Sequence, residues 1–500
     1  MNFEPDGLSS DTSSLSYCPI QHVAIIGAGI SGLISAYELI KSGHAVSLIE
    51  ADPDHIGGRI RTLRSADGSY AEMGAMRIPK NHDLTLKYVE LLDLELRPFI
   101  ESCSVARNCL KGQCFSQTPE GFEELKKRFQ LTDSEMQMTP DQLWKKVINW
   151  ACIKMTQEEI NSLYTDDLNN KTVEAIDQLS LGIAMRNAGL SQGAIELLAY
   201  LLHFEDHLNT AFSEHLREEL SGDWSCGFYE LVGGMDQITS ALFKKIQGKL
   251  NLHQGCKVKR VAKNDRNYSI EMENTLGHLL RIDADWVICT VSLGALTRID
   301  LNTVMSDQKA RASKNIHFDT STKVLVKCSR RFWELNDQIY GGHSNSDTLL
   351  GRIWYPSDNA ERKEKSVSNA PSYLLASYTS GARARHVDSL SLEDLKRMVV
   401  ESLMTIHPSL NCSEIISIHR WSWSNVSETS GGFTLFMPGE HRDHYSHLIR
   451  PEEQFLLAGE HVSLSHSWIQ GSIKSALTCV DHIRKSLQMK HWHVSIKQSA

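Results

Sequence analysis

Residues 22 to 50 read His-Val-Ala-Ile-Ile-Gly-Ala-Gly-Ile-Ser-Gly-Leu-Ile-Ser-Ala-Tyr-Glu-Leu-Ile-Lys-Ser-Gly-His-Ala-Val-Ser-Leu-Ile-Glu, and the order of their chemistry decides the fold. Val23 to Ile26 is a short apolar run of the kind buried inside a parallel sheet. It stops at Gly27, Gly29 and Gly32. Leu33, Ala36, Tyr37 and Ile40 then recur at helical spacing, and Gly43 marks the helix C-terminus. Ala45 to Ile49 predicts a second strand. Gly27 permits a tight turn, Gly29 lets the backbone approach a pyrophosphate, Gly32 lets the helix pack close on the strand, and the helix N-terminus offers free N–H groups to the anion. Glu50, at the end of the second strand, can accept from ribose hydroxyls. Strand, turn, helix, strand and acid in that order predict a dinucleotide site.

Residues 57 to 62, Gly-Gly-Arg-Ile-Arg-Thr, add a second close backbone approach with cationic partners for a diphosphate. A purely nicotinamide-dependent enzyme has no need of this loop. In this pair of motifs the chain resembles the FAD-dependent amine oxidase superfamily, where they hold the ADP part of FAD. The resemblance implies an α/β fold (α+β overall) with a Rossmann-type FAD-binding domain, a discontinuous substrate-binding sheet domain and a helical insertion.

Length and composition set outer bounds. Five hundred residues with 41% hydrophobic content predict two or three domains. A net charge of −9 argues against nucleic acid or an anionic membrane as the main partner. Residues 1–20 are polar and serine-rich, without the basic and apolar regions of a signal peptide, and no apolar run approaches the ~20 residues that span a bilayer. Eleven scattered cysteines without metal-like pairs read as reduced thiols in a cytoplasmic protein, and no metal site is expected.

Along the chain, apolar residues at helical spacing predict helices over 140–150, 156–163 and 189–204 and leave 126–220 almost strandless. Strands are expected over 257–261, 268–273 and 286–291 as a return to the nucleotide domain. Further strands are expected over 323–327, 373–378 and 455–458, with helices over 392–406 and 468–483. The FAD-binding domain is therefore assigned to 21–62, 232–312 and 448–488, the substrate-binding domain to 63–125 and 313–447, the helical domain to 126–231, and tails to 1–20 and 489–500.

The strand ending in Gly459-Glu460-His461, followed by Ser-Trp-Ile-Gln-Gly from Ser467, is a second match to the superfamily. There the acid equivalent to Glu460 binds the ribityl chain, and the next helix turns its N-terminus to the flavin pyrimidine, where a helix dipole favours negative charge. No cysteine lies near Trp468, so non-covalent FAD is expected, with His466 the one neighbour able to attach it. The resemblance assigns Gly27, Gly29, Ser31, Gly32, Glu50, Gly58, Arg59, Gly74, Ala75, Met76, Arg77, Val258, Trp423, Gly459, Glu460, Trp468 and Ile469 to the cofactor.

Gly74-Ala-Met-Arg-Ile-Pro79 is the most discriminating stretch. Arginine beside a tight turn can clamp a carboxylate through two parallel N–H bonds. The stretch resembles the Gly-Pro-Met-Arg-Leu-Pro of the L-amino-acid oxidases, whose arginine holds the substrate carboxylate; Ala75 replaces the proline. Tyr378 matches the tyrosine that helps bind that carboxylate. Lys323 matches the lysine that reaches flavin N5 through a water, although lysine at a strand edge is ordinarily solvated. Trp468 and Trp423 resemble cavity walls, Phe433 falls where relatives line the side-chain pocket, and Ser467 stands where many have a glycine whose carbonyl receives the amine. Glu218 occupies the place of a histidine at the pocket mouth of snake-venom relatives. An acid at helical spacing belongs to a solvated face. Should it face the cavity uncompensated, it would favour lysine, arginine or ornithine.

The resemblance thus implies oxidation of an L-amino acid by hydride transfer from Cα to flavin N5, giving a 2-oxo acid, ammonia and hydrogen peroxide. The expected partners are a small-molecule amino acid and O2, with a homodimer as the assembly to test. An amine or polyamine oxidase, an amino-acid 2-monooxygenase giving an amide, and a catalytically idle flavoprotein are the alternatives.

Overall fold

The computed structural model describes residues 20–498 apart from 167 and 169, so the tail expected over 1–20 lies almost wholly outside the described residues. Its first layer is a parallel sheet in the order Asn251–Gln254, Ala45–Glu50, His22–Ile26, Trp286–Cys289, Phe455–Leu457. Both faces of its central strand are covered. Val23 and Ile25 pack with Leu33 and Leu39 of the helix Ile30–Lys41 and with Ile473 and Ile483 of the closing helix Ile469–Gln498. Ala24 and Ile26 face Val261, Ile270 and Met272 on the other side. Two-sided burial is why this strand reads as a continuous apolar run without alternation.

The expected return to this layer needs one correction. Trp286–Cys289 joins the parallel sheet, whereas Tyr268–Glu273 is the middle strand of a separate antiparallel sheet, between Lys257–Lys263 and Leu279–Ala284, laid against it. The strand that does add beside Ala45–Glu50 is Asn251–Gln254, which escaped notice because it is an exposed, polar edge.

The second layer is a seven-stranded sheet in the order Ile415–Ser422, Ser321–Cys328, Ser372–Ser380, Arg352–Trp354, His343–Ser346, Arg107–Leu110, Gln113–Ser116. Helix Leu392–Ile406 coincides with its expected bounds. Lys323 lies in a strand paired on both sides, and its side chain is buried, unlike the solvated lysine of an ordinary strand edge.

Between Pro119 and Ser221 the chain is helical. Pro140–Cys152 and Gln157–Ser162 begin at capping boxes, Thr139 with Gln142 and Thr156 with Glu159, in which each side chain satisfies the other's free N–H. The expected helix over 189–204 is Gln192–Leu202. The closing helix runs past 483 and through most of the expected C-terminal tail. Among the described residues no helix is long and apolar enough to cross a membrane. The reduced state expected for every cysteine is also corrected. Cys109 and Cys114 face each other in the hairpin Arg107–Leu110/Gln113–Ser116 and form a disulfide. A register that opposes two cysteines is invisible in their spacing alone.

Candidate active site

One cavity of about 510 Å³ runs from the glycine turn of the parallel sheet to the face of the seven-stranded sheet, and it gathers nearly every residue singled out above. At the first end Gly27 holds φ +102° with no room for a side chain, since an added Cβ would lie 2.4 Å from Thr290 Oγ1. The helix beginning at Ile30 has no side-chain cap, which leaves its first N–H groups free to receive an anion. Glu50 spans the turn: its Oε2 accepts from Ala28 N at 2.7 Å and its Oε1 from Asp52 N at 2.8 Å. Gly58 meets Gly29 so closely that a Cβ on it would lie 3.2 Å from the Gly29 Cα. Glycine backbones, an uncapped helix and arginines form a donor set that suits a diphosphate. Ser31, Val258 and Ile469 line the same cavity.

Gly32 is the exception. It does not line the cavity, because a Cβ there would lie 1.9 Å from Gly27 O; its role is the contact of helix with strand.

Further along, Arg59 Nη1 donates to Glu460 Oε1 at 2.7 Å and to Gly432 O at 2.8 Å, tying the second glycine loop to the end of the last parallel strand. This pairing outweighs burial and holds the Glu460 carboxyl down at about 2. Glu460 Oε2 also accepts from Thr434 N and Ser467 N, each at 3.2 Å. Gly459 lies beside it on the wall.

At the far end Gly74 is wedged against the second loop, where a Cβ would lie 1.7 Å from Arg59 O. Trp423 Nε1 donates to Met73 O at 2.9 Å, and Lys323 Nζ donates to Gly74 O at 2.6 Å and Glu72 O at 3.2 Å. These bonds fix the segment carrying Ala75, Met76 and Arg77. Burial lowers the proton affinity of Lys323, although the carboxyl of Glu72 nearby favours its charge. Its Nζ lies 4.9 Å from the Tyr378 ring.

Arg77 is the least compensated group in the cavity. Its guanidinium carbon lies 4.8 Å from the ring centres of Trp224 and Phe228, 5.0 Å from Trp354 and 5.6 Å from Phe99. Its Nη1 is buried without a hydrogen-bond partner, and among the described residues no acid forms an ion pair with it. Taking a cation out of water costs several kcal/mol unless an anion meets it, and aromatic faces offset only part of that. The side chain is built to receive an anion.

The remaining wall is mostly aromatic and neutral. Trp468 stacks on Phe228 with ring centres 6.2 Å apart, and Phe433 and Tyr378 complete the lining. Ser467 adopts φ +62°, a left-handed conformation suited to the glycine of its relatives. Glu218 is corrected from a solvated face to the cavity wall, where it accepts from Trp468 Nε1 at 2.9 Å and from Trp224 Nε1 at 3.0 Å. Burial raises it to about 7. The sequence reading missed His203, His207, His215 and Trp224 of the helical region, and Arg352 and Trp354 of the sheet. Burial lowers all three histidines, which keeps them neutral. Arg352 and Trp354 alternate along one strand and could have been found by period-two spacing; the helical residues carry no motif.

The family described as flavin containing amine oxidoreductase matches residues 30–484. A Bacillus subtilis protein provisionally named an L-amino-acid oxidase is 30% identical over 469 residues, covering 91% of this chain and 93% of its own. The L-amino-acid oxidase of Sistrurus catenatus edwardsii is 28% identical over 478 residues, covering 93% and 87%. Among solved structures, a putrescine oxidase superposes with TM-score 0.72 at 16% identity over 93% of this chain and 99% of its own. The cyclohexylamine oxidase of Brevibacterium oxydans gives 0.71 at 17% over 94% and 100%.

Proposed function

The chain belongs to the flavin-containing amine oxidoreductase family, and we propose that within it this enzyme is an FAD-dependent L-amino-acid oxidase producing a 2-oxo acid, ammonia and hydrogen peroxide. The observation that carries the choice of substrate is Arg77, a buried guanidinium that forms no ion pair among the described residues and is caged by four aromatic rings. A simple amine brings no anion to such a site, whereas an amino acid brings a carboxylate that accepts two parallel N–H bonds. The L-amino-acid oxidase relatives support the same choice.

In this reading Arg77 and Tyr378 hold the substrate carboxylate, and the Ser467 carbonyl orients the amine. Phe433 bounds the side chain, and Trp468, Phe228 and Trp354 exclude water from the reacting carbon. Glu50, Arg59, Glu460 and the uncapped helix at Ile30 would hold non-covalent FAD, which supplies the acceptor for the Cα hydride. Lys323 has two of its three donors committed to Gly74 O and Glu72 O, leaving one for a water in the cavity. With its proton affinity lowered by burial, Lys323 can give or take a proton there as the imine is hydrolysed.

The deciding experiment is an anaerobic flavin-bleaching screen against the twenty L-amino acids, their D-enantiomers and common amines, followed by product analysis in oxygen. Bleaching by L-amino acids with 2-oxo acid and peroxide as products is expected. Bleaching by amines alone would return the chain to the amine oxidases, an amide product to the monooxygenases, and no bleaching at all to a binding role.

A further inference from the structure

Arg352 is a second arginine on the wall of the cavity, at the end that holds Arg77. Two of its nitrogens are fixed by neighbours from different elements. Nε donates to Asn345 Oδ1 at 2.9 Å, and Nη2 donates to Leu201 O at 2.6 Å. Asn345 is itself held, its Nδ2 donating to Asn108 Oδ1 at 2.9 Å. Nη1 has no hydrogen-bond partner among the described residues and keeps accessible surface, which opens on the cavity that the side chain lines. The guanidinium is therefore aimed before any ligand arrives.

No acid answers its charge. Arg59 and Arg61, toward the cofactor end, are matched by Glu460 and Asp52, whereas among the described residues Arg352 forms no ion pair. Glu205, just past the helix that carries Leu201, is already paired with Arg383. Glu101 acts on Arg77 and Arg352 alike and forms an ion pair with neither. The guanidinium carbons of Arg352 and Arg77 lie 5.6 Å and 5.0 Å from the same Trp354 ring. Burial and the like charge of Arg77 push Arg352 down to about 9. Two cations that share one indole in a site largely closed to water each gain from an anion of their own.

We propose that Arg352 receives a second carboxylate, the one on the substrate's side chain, so that the preferred substrates are the acidic L-amino acids. The inference rests on the amino-acid reading above, in which Arg77 takes the α-carboxylate. An acidic side chain then brings one anion for each guanidinium. An apolar side chain would press hydrocarbon against Arg352 and strip its remaining water without replacing it, and a basic one would add a third cation. The neighbouring wall does not compete for the anion. His203 and His207 bond to Tyr378 O and Ser380 Oγ, and burial keeps both imidazoles neutral. Glu218 sits with the indoles of Trp468 and Trp224, and burial raises it to about 7, which weakens its repulsion of an anionic side chain.

The test compares L-glutamate and L-aspartate with L-glutamine and L-asparagine in oxygen-consumption kinetics of the flavin-loaded enzyme at neutral pH. The amides keep the shape of the acids and remove only the charge. Wild type is expected to prefer at least one acid over its amide by about 30-fold or more in kcat/KM. Arg352→Gln is expected to bring that ratio to within a few-fold of one, chiefly by raising KM for the acid, and Arg352→Lys to keep part of the preference. A second measurement needs no variant: titration of the flavin absorbance of the wild-type holoenzyme with glutarate and with pentanoate, acids of equal chain length. Glutarate is expected to bind about 30-fold more tightly or better. The proposal is overturned if the amides serve as well as the acids, if glutarate and pentanoate bind alike, or if Arg352→Gln slows acid and amide equally. Preference for a basic or an apolar amino acid also overturns it, while leaving the amino-acid reading in place. Should Arg352→Gln not retain flavin, the wild-type ratio and the titration decide. Failure of the amino-acid reading looks different: no L-amino acid then reduces wild-type flavin, whatever its side chain.

Discussion

Arg77→Met separates the two consequences of an uncompensated buried cation, because activity and stability should move in opposite directions. Methionine approximates the length of the side chain and suits a pocket made by Phe99, Trp224, Phe228 and Trp354, so little volume is lost. Removing one partner of a dry, hydrogen-bonded charge pair costs roughly 2–5 kcal/mol in complexes of known energetics. At about 1.4 kcal/mol per factor of ten, kcat/KM for any L-amino acid should fall roughly 30- to 4,000-fold. The lower part of that range applies if Arg352, a second arginine on the same cavity wall, meets the carboxylate in place of the lost guanidinium. In the substrate-free protein the balance reverses. The cation has lost its hydration and gained four rings but no anion, and replacing such charges by apolar groups is neutral to stabilising by about 1–4 kcal/mol. Oxygen-consumption kinetics and thermal unfolding of the flavin-loaded, substrate-free enzyme measure both quantities. An unchanged kcat/KM would remove the carboxylate clamp. A Tm that falls along with activity would show that Arg77 is a structural cation whose partner is the aromatic cage itself.

Other perturbations test other parts of the site. Gly32→Ala should abolish flavin retention, read from absorbance of the purified protein, because its Cβ would meet Gly27 O at 1.9 Å, whereas Gly43→Ala, with open space but φ +83°, should cost only about 1 kcal/mol. Glu460, held at about 2 by Arg59, stabilises the fold fully above the ordinary glutamate range, and that stabilisation is lost as pH falls from there toward about 2. Arg59→Met should therefore unfold more easily at neutral pH, by roughly 3–5 kcal/mol, and lose much of its difference from wild type in acid; a gap independent of pH in denaturant titrations would contradict this. Cys114→Ser opens a disulfide that closes a loop of only five residues, so its loss should cost no more than about 2 kcal/mol in chemical denaturation.

What was legible in the sequence is what local covalent geometry dictates. Gly27 and Gly58 hold left-handed backbone, φ +102° and +60°, which a side chain would strain whatever packs against it. Arg59 and Glu460 were each recognised from their own motif, although their ion pair joins residues 401 apart, because each loop was tied to the same ligand. Illegible features were those whose meaning depends on which neighbours arrive from far along the chain. The burial of Lys323 was implied only by its match to a family lysine, since the strands that enclose it, Ser372–Ser380 and Ile415–Ser422, arrive from far along the chain. His203, His207 and His215 ended up on the cavity wall only because the helical layer is laid against the sheet, and nothing in their spacing distinguishes a wall from a surface.

Glu218 shows the limit most sharply. A helical pattern identifies an amphipathic face but not what that face meets. The sequence therefore offered the carboxylate either to solvent or, uncompensated, to a cationic substrate side chain. The structure gives it a third environment, with one indole N–H on each oxygen and a cavity on each side. Two neutral donors stabilise an anion without cancelling its charge, while burial and the nearby Asp223 and Glu214 work the other way. A carboxyl balanced between those influences is a weaker fixed counter-charge for a lysine or arginine side chain than a solvated carboxylate would be. Glu218→Gln should therefore leave the ratio of lysine to leucine turnover within a few-fold of wild type, and a fall of about tenfold or more in that ratio would make Glu218 the selector of basic side chains.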